Sequence, residues 1–119
     1  MQIPEKDISY LLDMYNYCNT VSEFVKNVKY HHFSTNKEKI FAVERGVEII
    51  GEASNKISDE TRARLPHIPW RKIIGLRNRL AHEYSDIKLV KIWNIAKEEI
   101  PILIAEIKKI EELREYIDE

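Results

Sequence analysis

Apolar residues along this chain recur every three or four positions and almost nowhere every two. That spacing gathers them on one face of an α-helix and argues against strands, whose side chains alternate. A first helix is predicted over residues 4–19. Pro4 suits a first-turn position, and Ile8, Leu11, Leu12 and Tyr15 follow at helical spacing. Thr20-Val-Ser-Glu23 has the form of a capping box. It predicts a short helix through Phe24, Val25 and Val28, or else a kinked continuation of the first.

His31 to Asn36 reads as a break, with Thr35 or Asn36 capping a third helix that runs to about residue 58. Its stripe is Ile40, Val43, Val47, Ile50 and Ile57, with Ser54 in the remaining slot. Gly46 and Gly51 lie inside this helix, where each costs about 1 kcal/mol against Ala. Close approach of a neighbouring helix is one physical reason to accept that cost. Asp59 is a candidate cap for a turn carrying Glu60 to Leu65, and Pro66 and Pro69 bracket a rigid loop. Pro69 fits the first turn of a helix through Trp70, Ile73, Ile74 and Leu80, widened by Leu76 and Ala81 and ending at Tyr84-Ser-Asp86. A long last helix is predicted over residues 87–116. Its stripe is Leu89, Ile92, Trp93, Ala96, Ile100, Leu103, Ile107, Ile110 and Leu113, and the interior Pro101 predicts a kink. The expected fold class is all-α: an antiparallel four- to five-helix bundle forming a single domain over residues 1–119.

Composition supports the same class. Three glycines and four prolines in 119 residues leave little turn chemistry for a many-stranded β-fold. The one cysteine, Cys18, forms no disulfide within the chain and reads as a small buried hydrophobe. The opening Met-Gln-Ile-Pro-Glu-Lys-Asp lacks the basic and apolar runs of a signal peptide, and no apolar stretch approaches about 18 residues. A cytoplasmic location with no membrane association is expected. A net charge of −1 conceals a segregation. Residues 61–91 carry Arg62, Arg64, Arg71, Lys72, Arg77, Arg79, Lys88 and Lys91 against Glu83 and Asp86, whereas residues 98–119 are strongly acidic. A local basic surface attracts phosphates even when the total is near zero. The plainer reading of these charges is an ordinary set of solvated helix faces.

Several chemistries are not encoded. There is no glycine-rich phosphate loop, no His-Glu-x-x-His and no cysteine pair, so no metal and no cofactor are expected. His31 and His32 diverge if helical and read as loop or packing residues, and His67 sits between prolines. What remains is the segment from Arg71 to Tyr84. Asn78 and His82 lie four apart and share a helix face, whereas Arg77 and His82 are separated by about 140° around an ideal helix. They converge only if Arg77 extends, the helix distorts or a second subunit closes the site. A histidine near neutral pKa can move the proton of a 2′-hydroxyl or of a leaving oxygen. An arginine can hold the phosphate and offset the charge that grows on it. Asn78 can orient His82 or donate to a phosphate oxygen. Together they suit metal-independent cleavage of RNA. The bland alternative is a surface helix with Arg79–Glu83 pairing and a half-buried His82.

Arg77, four residues, His82, one residue and Tyr84 resemble the Arg-x4-His-x-Tyr motif of HepT-like toxins in the HEPN superfamily. The segments Val47-Glu-Ile-Ile-Gly-Glu-Ala53 and Ile68-Pro-Trp-Arg-Lys-Ile-Ile-Gly-Leu-Arg77, and the pair Trp93 and Pro101, are similar to the same family. The resemblance implies a ribonuclease toxin with Arg77 and His82 catalytic and Asn78 supporting them. Arg71, Lys72 and Arg79 are candidate contacts to RNA phosphates. It further implies a homodimer or higher even oligomer and a transfer RNA substrate. The implied partner is an MntA-like nucleotidyltransferase antitoxin that transfers AMP from ATP onto Tyr84. A non-catalytic helical module that docks a nucleotidyltransferase or binds a nucleotide is the alternative.

Overall fold

Burial decides where the first helix ends. Stopping at Thr20 would strand Val21 and Val25 outside the core. Instead α1 runs unbroken over Glu5–Val25, burying Leu11, Met14, Cys18, Val21 and Val25 along one stripe. Thr20 is therefore interior to the helix. Its hydroxyl donates back to the Asn16 carbonyl at 3.0 Å, so the expected capping box does not form. The chain turns at Asn27, whose φ of 60° lies in the left-handed region that Asn tolerates. The computed structural model describes residues 2–83 and 87–117, with the backbone alone for His82 and Glu83.

The expected break contains a single helical turn, α2 (Tyr30–Phe33), which drives Phe33 into the core. Asn36 then caps α3 (Lys37–Lys56), its side chain accepting from the Lys39 N–H at 3.0 Å. Ser58, not Asp59, caps α4 (Asp59–Arg64) by accepting from the Thr61 N–H at 3.2 Å. Helix α5 covers Trp70–Glu83, with Pro69 just outside its first turn. The expected stop at Tyr84-Ser-Asp86 and the expected Asp86 cap lie outside the described residues.

The last third departs from the single long helix expected over 87–116. It comprises α6 (Leu89–Asn94), a π-helical turn (Ile95–Glu99), α7 (Ile100–Lys108), a 3-10 turn (Glu111–Leu113) and α8 (Arg114–Ile117). The π-turn explains how Pro101 is accommodated. The Ile100 N–H donates to the Ile95 carbonyl five residues back, so the backbone is already widened where proline would clash with the preceding turn. The helix stops after Lys108 because Ile110 adopts an extended conformation (φ −73°, ψ 115°) that buries its side chain.

The long helices form an antiparallel bundle, all-helical among the described residues. Helix α3 packs against both α1 and α5, and α7 packs against α1. The two glycines of α3 serve its two neighbours. A Cβ on Gly46 would overlap the Val21 side chain of α1, and a Cβ on Gly51 would overlap the Cβ of Arg77 on α5. Close packing within one chain therefore accounts for both glycines. Cys18 is fully buried, and burial pushes its thiol pKa up to about 12, as fits an inert packing residue. No helix among the described residues is long and apolar enough to cross a membrane.

Candidate active site

The position of α5 is set from below by polar contacts. Asp7 of α1 is buried, and its carboxylate accepts from the hydroxyls of Ser58 and Thr61, each at 2.6 Å, and from the Ser58 N–H at 3.2 Å. Burial alone would raise the Asp7 pKa. These hydrogen bonds and the charge of Lys6 outweigh it and hold the group below the ordinary carboxylate value. The bonds pin the start of α4 to α1. At the other end of α4, the Trp70 indole N–H reaches the carbonyls of Arg62 (3.2 Å) and Leu65 (3.0 Å), satisfying groups the helix terminus leaves open. Trp70 opens α5, so the indole ties the two helices together.

Arg77 leaves α5 on the flank that faces α3. Gly51 lets its stem lie against the α3 backbone, with Cγ 2.8 Å and the Ile73 carbonyl 3.2 Å from where a Cβ of residue 51 would stand. The guanidinium then spreads at the surface. Its Nη1 donates to the Asn78 side-chain carbonyl at 3.1 Å, and its Nη2 lies 3.8 Å from Oε2 of Glu52. Arg45 approaches the same oxygen at 3.3 Å and also pairs with Glu48 at 3.1 Å. The Nε of Arg77 is buried and has no partner among the described residues. The side chain as a whole is 28% exposed, so part of its donor fork remains open to an anion. The Glu52 contact is long and partly solvated, worth about 0–1 kcal/mol, and it orients the arginine more than it stabilises the fold.

Asn78 is thus joined to Arg77 through its carbonyl. The side chain of His82 and the whole of Tyr84, expected as catalytic and as modified residues, lie outside the described residues. Arg71 and Arg79 are exposed on the outer face of α5, and Lys72 is tied to Glu99 at 3.0 Å. Two residues near the motif were not among the candidate site residues: Glu52, which meets Arg77, and Lys91 of α6, noted only as one charge of the basic segment, which lines one depression with Arg71 and Arg79. The first signal was present, since Glu52 directly follows the glycine that admits Arg77. The second depends on a tertiary approach that spacing does not reveal.

An apolar cleft of about 360 Å³ lies on the other flank of α5, lined in part by Val47, Ile50, Ile73, Leu76, Ile100 and Leu103, and Arg77 and Asn78 do not contribute to it. Among the described residues, no group of three or more His, Cys, Asp or Glu is placed to hold a metal.

The profile of the family described as ribonuclease HepT-like matches residues 14–110. Two Methanocaldococcus jannaschii proteins, both provisionally named RNases, are similar to this chain. One is 40% identical over 100 residues, covering 84% of this chain and 92% of its own. The other is 38% identical over 109 residues, covering 91% and 90%. A Thermococcus cleftensis protein provisionally named ribonuclease HepT is 35% identical over 101 residues, covering 85% of this chain and 92% of its own. No solved structure matches significantly. The profile spans the bundle from α1 through α7, including the glycine that seats Arg77, and the chain therefore belongs to the ribonuclease HepT-like family of the HEPN superfamily.

Proposed function

We propose that this chain is a metal-independent endoribonuclease, with Arg77 and His82 as its catalytic residues and Asn78 as the group that steadies Arg77. The observation that carries this reading is the seating of Arg77. Its stem is fixed on Gly51, its head is held by Asn78 and Glu52, and part of its donor fork faces outward. An arginine set in place before substrate arrives needs little reorganisation as charge builds on a phosphate. His82 takes the proton of a 2′-hydroxyl, and the 2′-oxygen bonds to the adjacent phosphorus. The 5′-oxygen departs with a proton, leaving a 2′,3′-cyclic phosphate and a 5′-hydroxyl. Two copies across a two-fold axis supply the arginine of one chain and the histidine of the other.

The finer reading is a cytoplasmic toxin that cuts transfer RNA and is restrained by an MntA-like nucleotidyltransferase. That partner breaks the α–β phosphate bond of ATP, joins AMP to the Tyr84 oxygen and releases pyrophosphate. The added phosphate then competes with RNA for Arg77. Arg71, Lys72 and Arg79 contact flanking phosphates of the substrate.

Bulk transfer RNA incubated with the purified chain in EDTA tests the enzymatic claim. Cleavage that persists in EDTA and falls by roughly 10²- to 10³-fold in both Arg77→Ala and His82→Ala is expected. Intact RNA with the unaltered chain would overturn it and leave a binding module.

A further inference from the structure

Gly75 sits in the middle of α5, and no contact among the described residues requires it. A Cβ built there meets nothing within 4 Å, in contrast to Gly46 and Gly51. Glycine is disfavoured inside a helix, and packing gives no reason for it at this position. Its surroundings are strongly basic. On one side, α5 and the last third of the chain enclose a depression lined by Arg71, Lys72, Gly75, Leu76, Arg79, Lys91, Ile95 and Glu99. Glu99 is the single acid of that lining, and Lys72 already pairs with it at 3.0 Å. Among the described residues, Arg71 and Lys91 meet no carboxylate within ion-pair distance. On the other side, a second depression includes Asn55, Trp70 and Asn78 and shares Arg71 and Gly75 with the first. Its one acid, Asp59, is bound by Arg62 at 2.7 Å. Gly75 is therefore the saddle between two depressions, one basic and one that leads to Asn78 beside Arg77.

We propose that an RNA strand crosses α5 over Gly75, held on the basic side by Arg71, Arg79 and Lys91, and passes on toward Asn78 and Arg77. This deepens the ribonuclease reading and rests on it. The absent Cβ lets the sugar–phosphate chain lie against the helix backbone. Lys91 acts from α6 and grips the strand opposite the α5 arginines. A second copy of this chain is the other candidate for a close neighbour at Gly75. Two such faces apposed would set each cation cluster against its own likeness, which disfavours that arrangement and favours a polyanion.

The full chain carrying His82→Ala, titrated with a short fluorescent single-stranded RNA at several salt concentrations, tests the path. Arg71→Ala and Lys91→Ala should each weaken binding roughly fivefold and flatten the log–log salt slope by about 0.7, the value for one lost contact to a single strand. Gly75→Ala should raise the thermal midpoint by roughly 3–5 °C, because helix propensity improves, and yet weaken RNA binding. Gly75→Leu should weaken binding about tenfold or more, since a larger side chain fills the saddle. Unchanged affinity and slope in Lys91→Ala and Gly75→Leu would overturn the proposal. So would a Gly75→Leu chain with an altered sedimentation coefficient while Lys91→Ala keeps the full slope, because the close neighbour would then be a second copy. The same substitutions are placed in the chain with His82 intact and assayed on transfer RNA. Binding through these residues without cleavage removes the nuclease reading and leaves the path. Cleavage untouched by all of them removes the path alone.

Discussion

Gly51 allows the Arg77 stem to lie on the α3 backbone, and the next residue, Glu52, reaches the arginine head. These neighbours act on the same side chain by different physics, and their substitutions should separate. A methyl group at residue 51 has no room between two helix backbones. Gly51→Ala should cost about 1–3 kcal/mol, as overpacking does, read as a lowered urea midpoint, and ribonuclease activity should fall with it. Glu52→Gln removes a charge from a partly solvated contact. Stability should stay within about 0.5 kcal/mol, because such pairs contribute little. Its kcat on transfer RNA should drop roughly tenfold with KM little changed, since the arginine loses orientation, not RNA affinity. A Glu52→Gln chain with full kcat would place Glu52 outside the machinery.

At the scale of elements, the short helix α4 is held in place by one buried carboxylate. Asp7 gathers Ser58 and Thr61, and with Trp70 it fixes where α5 begins. Asp7→Ala should cost roughly 3 kcal/mol, because charge-assisted hydrogen bonds vanish and the buried Thr61 hydroxyl and the half-buried Ser58 hydroxyl lose their acceptor. Acid should act on the same contact. The folded-state pKa of Asp7 lies below its ordinary 3.8, so the native state binds fewer protons than the unfolded one. The stabilisation is complete above the unfolded value and is lost as pH falls through the folded value. Thermal midpoints measured from pH 6 downward should therefore fall more steeply below about pH 4 in the native chain than in Asp7→Asn, which has no such proton to bind. Parallel curves would show that the carboxylate does not stabilise the fold through its charge. The elements themselves were legible to different degrees. The stripe Val43, Val47, Ile50 and Ile57 is buried as its spacing predicts. The end of α1 was not legible, because a capping pattern at Thr20 competes with two valines whose burial becomes visible only when α3 and α7 are in place. Pro101 announced a disturbance but not its form, since a π-turn displaces the strain into the residues before the proline. Lys108 and Lys109 marked the end of α7, as basic residues commonly do at a helix C-terminus, and went unused beside the longer apolar stripe.

For the whole molecule, near-neutral charge hides a divided surface. The basic middle read from the sequence converges in space, with Arg71, Arg79 and Lys91 around one depression. The bond from Arg77 to Asn78 was not read from the sequence, where the shared helix face of Asn78 and His82 drew attention to the histidine instead. Glu52 was not legible, because it meets the motif helix only through packing between elements, and Lys91 was legible as one charge of the basic segment but not as a neighbour of Arg71 and Arg79. In the proposed mechanism, the unfavourable angle between Arg77 and His82 on one helix is resolved by two copies of the chain completing one site. Subunit mixing tests that claim most directly. Arg77→Ala and His82→Ala chains, each inactive alone, are unfolded together and refolded, and transfer RNA cleavage is measured. In a composite site, half of the refolded dimers are mixed and each holds one intact arginine–histidine pair, so about one quarter of native activity should return. Mixed dimers that form, as shown by mass spectrometry, and still leave RNA uncut would contradict a shared site.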